Sequence, residues 1–170
     1  VVIATRADVR LSVLEALLKH SKVHHLILEK VLFQKLDEYE KAKSVLDKSS
    51  TRCWVHHTRR AYPFYADLQH RMKEDDNIRL EVSGGNWGIG CNGLHFLDLF
   101  QYLIGEQNIE LHIGELEPRI VSSKRDGVKE VVGTVKAQTE SGHSLSMTSY
   151  DYDFPLEVRI SSRQRSLLLD

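Results

Sequence analysis

The first fifty residues change hydrophobic period three times, and that alternation restricts the fold more than any other feature. Val1-Val2-Ile3-Ala4-Thr5 is a β-branched apolar run, and after Asp8 the residues Val9, Val13, Ala16, Leu17 and His20 recur at helical spacing. His24-His25-Leu26-Ile27-Leu28 has the length and residue types of a buried parallel strand, and Leu36, Tyr39, Ala42, Lys43 and Leu46 repeat as one face of a second helix. Strand, helix, strand, helix is the repeating unit of a doubly wound sheet, in which crossover helices join parallel strands.

The remainder reads differently. Arg52 to Thr58 predicts another strand, Pro63 opens a helix reaching about Met72, and Ile78 to Val82 alternates as a strand does. Ser83 to Gly90 is glycine-rich and predicts a loop. Asn92 to Ile104 then carries a helical stripe of Leu94, Leu97, Phe100, Leu103 and Ile104, stopped by Gly105. Beyond Asn108 the segments Ile109–Ile113, Val128–Thr139, Ser144–Tyr150 and Leu156–Ile160 predict strands, with turns at Gly127 and Ser141-Gly142-His143. The expected fold is therefore α/β. Residues 1–50 form the later part of a doubly wound parallel sheet, and residues 51–170 form an α+β domain with a meandering, mostly antiparallel sheet.

Composition narrows the partners. Lys and Arg total 23 against 24 Asp and Glu, a net charge of -1, so no overall field draws the chain to nucleic acid or to an anionic membrane. Its apolar runs fall well short of the roughly 20 residues that span a bilayer. Cys53 and Cys91 are far apart and form neither a disulfide framework nor a zinc module, which points to a reducing, cytoplasmic compartment. His24-His25 and His56-His57 project to opposite faces of their strands, so neither pair ligates one metal ion. A small molecule or another protein is the expected partner.

A doubly wound domain that binds a dinucleotide carries Gly-x-Gly-x-x-Gly in its first strand-to-helix turn, where bare backbone approaches the pyrophosphate. The turn after Val1–Thr5 has no glycine, and the cluster from Gly84 to Gly90 precedes a different helix. The chain is accordingly expected to start inside a larger domain whose first strands precede Val1.

Three segments stand out in order: Glu29-Lys30 at the end of the second strand, Arg59-Arg60-Ala61-Tyr62-Pro63 after the third, and Gly93-Leu94-His95-Phe96-Leu97-Asp98 in the apolar helix. Together they resemble the Gfo/Idh/MocA oxidoreductases, in which a strand of the Rossmann-like domain ends in Glu-Lys-Pro, an Arg-x-x-Pro segment enters the second domain, and a helix begins Gly-x-His-x-x-Asp. The resemblance is strongest up to about Gly105. It implies hydride transfer between NAD or NADP and a hydroxyl of a sugar, polyol or sugar derivative. Lys30 and His95 would be the catalytic pair, Lys30 polarising the reacting oxygen and His95 exchanging its proton near neutral pH. Thr5, Glu29 and Lys30 would contact the cofactor, Arg59, Trp87 and Asn92 the substrate, and Asp98 would act structurally.

Two departures leave a second reading open. Cys91 stands where many relatives have an Asp four residues before the histidine, and Val31 replaces the proline after the lysine. Either the branch uses a variant mechanism, or it is a catalytically silent relative that binds a sugar-like ligand or associates with itself. Val128, Val132 and Val135 suggest an apolar outer face on the late sheet and hence a homo-oligomer.

Overall fold

A computed structural model describes residues 1–123 and 127–169. The chain divides into two compact units, residues 1–57 and 58–170.

The first unit is a three-stranded parallel sheet with two helices. Its elements are β1 (Val2–Ile3), α1 (Ala7–His20), β2 (His25–Glu29), α2 (Leu36–Asp47) and β3 (Arg52–His56), in sheet order β1-β2-β3. Ile3 pairs with Leu28, and Glu29 with His56, so all three strands end at one edge. The sequence boundary near Ser50 therefore moves to His57, because β3 is hydrogen-bonded along β2 and belongs to the first sheet. The core comprises Ile3, Leu14, Val23, Leu26, Leu28, Phe33 and Ala42. The stripe expected on α1 is displaced by one residue. Val9 and Val13 are exposed, and the helix buries Arg10 and Leu14. Helix α2 starts where the Glu38 carboxylate accepts the backbone N–H groups of Gln34 and Lys35, each at 3.1 Å.

The second unit contains a 3₁₀ turn at Arg59–Ala61, α3 (Pro63–Met72), β4 (Arg79–Gly85), α4 (Ile89–Ile104), β5 (Glu110–Ser122), β6 (Lys129–Gln138), β7 (Ser144–Tyr150), β8 (Glu157–Ser161) and β9 (Ser166–Leu169). The sheet order is β5-β6-β7-β4-β8-β9. It is a mixed sheet: β4 and β7 run parallel while the remaining pairs are antiparallel. Leu80, Val82, Leu145, Met147, Val158 and Ile160 line one face and pack with Phe96, Leu99, Phe100 and Leu103 of α4. Pro63 begins α3, where its missing N–H costs nothing, and Gly105 ends α4 in the left-handed region at φ 73°.

Three expectations change here. Strand β5 continues to Ser122 through two register shifts, well past Ile113, and β9 lay outside the sequence reading. The glycine-rich segment is divided between the end of β4 and the start of α4. The valines do not form an apolar outer face: Val132 is fully buried and Val135 packs against the helix-side core. The opposite face of the sheet carries Arg79, Glu81, Ser83, Ser146, Thr148 and Arg159 around shallow polar depressions.

Candidate active site

The carboxyl edge of the first sheet gathers three of the predicted residues. Thr5 and Lys30 each lie two positions past the Ile3–Leu28 pair, and Glu29 is the last residue of β2. Glu29 Oε2 lies 2.7 Å from Nδ1 of His56, its register partner on β3. Lys30 is half-buried and the Lys30–Val31 peptide is cis. The Thr5 hydroxyl is buried without a hydrogen-bond partner among the described residues. An orphaned hydroxyl is costly in a closed fold, and its position at this edge suits a ligand group that both donates and accepts.

A residue absent from the sequence reading ties this edge together. Arg10 of α1 is 2% exposed, and its guanidinium donates to the carbonyls of Thr5 and Val31 and, at 2.9 Å, to that of Leu32. Burial lowers the guanidinium pKa from its ordinary value, an effect opposed by the charge of Glu29. The available signal was its position four residues before Leu14, on the buried face of α1.

In the second unit the predicted residues cluster around the start of α4. Gly88 turns the chain at φ 77°, and Ile89 opens the helix. The carboxylate of Glu130, on β6 and 4% exposed, accepts the backbone N–H groups of Gly90 at 2.8 Å and Cys91 at 3.2 Å. It supplies from another strand the acidic cap that the local sequence lacks. Sequence reading missed Glu130 too, although it is a lone acid at a buried position of an alternating strand.

Cys91, His95, Asp98 and Tyr102 fall along one side of α4 at spacings of four, three and four residues. The turn before α3 covers its later half. Arg60 pairs through two nitrogens with the Asp98 carboxylate and lies 5.4 Å from the Tyr102 ring, and the Arg59 guanidinium lies 4.1 Å from the Phe96 ring centroid. Asp98 thus meets a neighbouring cation, Arg60 of the turn before α3. His95 is half-buried, six residues on from Ile89 at the helix start. Asn92 donates its amide to the Trp87 carbonyl at 2.8 Å and so braces the loop. Trp87 is a packing residue: its ring meets Phe96 edge-on and its indole N–H donates to the Thr148 carbonyl at 2.8 Å. Asn92 thus lies three residues before His95 on α4 and Arg59 over the ring of the adjoining Phe96, whereas Trp87 packs against the core.

Among the described residues no group of three His, Cys, Asp or Glu side chains is arranged to hold a metal ion, and no helix is long and apolar enough to cross a membrane.

No family model and no curated protein matches the chain. Solved structures do. An oxidoreductase from Agrobacterium radiobacter in complex with NAD+, L-tartaric acid and magnesium is 16% identical with a TM-score of 0.71, covering 99% of this chain and 55% of that one. Apo scyllo-inositol dehydrogenase from Lactobacillus casei is 16% identical with a TM-score of 0.66, over 99% and 55%. The super-repressor mutant of Gal80p from Saccharomyces cerevisiae is 16% identical with a TM-score of 0.70, over 99% and 54%. The chain thus shares the α/β fold of these structures and spans about half their length.

Proposed function

We propose that the chain forms part of an NAD- or NADP-dependent oxidoreductase acting on a hydroxyl of a sugar, polyol or sugar derivative. The observation that carries this reading is the convergence of Thr5, Glu29 and Lys30 on one carboxyl edge of a parallel sheet, the position at which such folds bind ligands. The fold neighbours supply the chemical class: one is an NAD+ complex and another a scyllo-inositol dehydrogenase.

The residues present fit the nicotinamide end of a dinucleotide. Thr5 offers an unpartnered hydroxyl, Glu29 a carboxylate for ribose hydroxyls and Lys30 a cation. The turn Thr5-Arg6-Ala7 has no glycine to cradle a diphosphate, so that part of the ligand falls to other residues. Held by these residues, a nicotinamide would supply the hydride acceptor or donor. The chain's own groups handle the oxygen and its proton: Lys30 hydrogen-bonds the reacting oxygen and stabilises negative charge on it, and the imidazole of His95 takes the hydroxyl proton during oxidation and returns it during reduction.

Reduction of NAD+ or NADP+ by a panel of polyols and sugars, followed at 340 nm, tests the proposal. Turnover should fall about 10²-fold or more in Lys30→Met. An unchanged rate overturns the role of Lys30, and a failure of the full-length protein to bind either nucleotide overturns the function.

The silent-relative reading draws on Cys91, which leaves His95 without a carboxylate one turn before it. Self-association through the late sheet belongs to the proposal on altered grounds. Edge strand β5 exposes Leu111, Ile113 and Ile120, an apolar set suited to a second copy. Light scattering at micromolar concentration should give a dimer mass, and a monomer mass would exclude this role for β5.

A further inference from the structure

Arg10 is the least exposed charged side chain in the first unit, and the chemistry proposed above gives it nothing to do. Its three acceptors are not scattered. Thr5 lies in the turn between β1 and α1, and Val31 and Leu32 directly follow Lys30. One planar guanidinium therefore bridges the two segments that carry the predicted ligand-binding groups. A buried cation is a poor choice for stability alone, because removing it from water costs free energy that carbonyl dipoles offset only when their geometry suits it. Elsewhere α1 meets the core through Leu11, Leu14, Leu17 and Leu18. What a guanidinium offers at position 10 is a rigid fork of donors, which fixes the separation and orientation of several carbonyls at once.

We propose that Arg10 is a positioning residue that sets the spacing between the Thr5 turn and the Lys30-Val31-Leu32 segment, and so presents Thr5 and Lys30 to one ligand. The ligand, the nicotinamide end of a dinucleotide, rests on the function proposed above. The positioning itself rests on the hydrogen bonds alone.

The role differs from general structural support in what it predicts. Arg10→Met removes every donor, Arg10→Lys keeps the charge but loses the fork, and Leu14→Ala weakens the same helix's packing without touching the three carbonyls. Backbone ¹⁵N relaxation on the full chain reads the outcome. In Arg10→Met the order parameters of Thr5, Val31 and Leu32 should drop from about 0.85 toward 0.6 while those of β2 and β3 stay rigid. Arg10→Lys should fall between, and it decides the matter if Arg10→Met does not fold. Leu14→Ala should lower the unfolding midpoint and leave both segments ordered.

On the same proteins, fluorescence titration with NADH and NADPH should show affinity at least about tenfold weaker in Arg10→Met and within about threefold of wild type in Leu14→Ala. Unchanged order parameters in both segments, or equal loosening by Leu14→Ala, overturn the positioning role. A wild-type chain in the full-length protein that binds neither nucleotide overturns the nicotinamide reading, while the relaxation data still decide the role of Arg10.

Discussion

Glu29 and His56 are register partners on adjacent parallel strands, and their side chains meet at 2.7 Å at the sheet edge where Thr5 and Lys30 also lie. The pair is partly open to solvent, with side chains 29% and 49% exposed, so its contribution to stability is screened. Glu29→Gln should therefore lower unfolding free energy by less than about 1 kcal/mol in urea titrations. If Glu29 contacts the nicotinamide ribose, the same substitution should raise the nucleotide KM several-fold with a smaller change in kcat. A stability loss above about 2 kcal/mol would make the pair structural instead.

Cys91→Asp separates a variant enzyme from a silent relative. The substitution places a carboxylate one helical turn before His95, in the first turn of α4, where negative charge is also favourable toward the helix dipole. A silent protein should gain measurable nucleotide reduction in the 340 nm assay. An active variant enzyme should change little or lose rate.

The carboxylate of Glu130 takes two N–H groups at the start of α4 while nearly out of reach of water. Glu130→Ala leaves those donors buried and unpaired and should cost about 1–3 kcal/mol by chemical denaturation. Glu130→Gln keeps one good acceptor and should cost less. Equal losses would assign the effect to packing.

Gly133 sits at φ 108° between β5 and β7, and an added Cβ would stand 2.5 Å from the Glu115 carbonyl oxygen. Gly133→Ala thus meets both a disfavoured backbone region and immovable backbone, and should destabilise the second unit by at least about 1–3 kcal/mol. A thermal midpoint equal to wild type would refute the close approach.

Burial pushes the Cys53 thiol pKa above its ordinary value. The neutral thiol is then the favoured species, and the reactive thiolate accumulates only at a higher pH than for free cysteine. Iodoacetamide at pH 8 should modify Cys53 more slowly than a cysteine in an unstructured peptide, with the rate climbing as pH rises further. Mass-mapped alkylation at equal or faster rate would contradict this.

Period and residue type made the parallel unit legible: β1 and β2 are adjacent, α2 runs through Leu36 to Leu46, and in the second unit α3 starts at Pro63. The second sheet was legible as strands but not as an order. The pairing of β4 with β7 joins residues more than sixty positions apart and depends on loop closure, not on local preference. Arg10 and Glu130 escaped for a related reason. Each is a charged residue on a buried face, and its value depends on carbonyls or N–H groups that only the folded backbone brings within reach. The contacts of Trp87 escaped likewise, because only the folded chain brings its N–H to the Thr148 carbonyl of β7 and its ring against Phe96.

In the second sheet β4 is flanked by β7 and β8, both of which follow it in the chain, and it leads directly into Gly88 and α4. During synthesis the residues that build the His95 helix thus emerge well before either strand that will hold its leading strand in place. Until Ser144–Ser161 has been made, β4 has two open edges and the strand that leads into the helix start has no paired neighbour. The unit that carries His95 is consequently one whose site is finished from the far end of the chain, and any shortening that removes β7 or β8 reaches the candidate active site without altering a single residue in it.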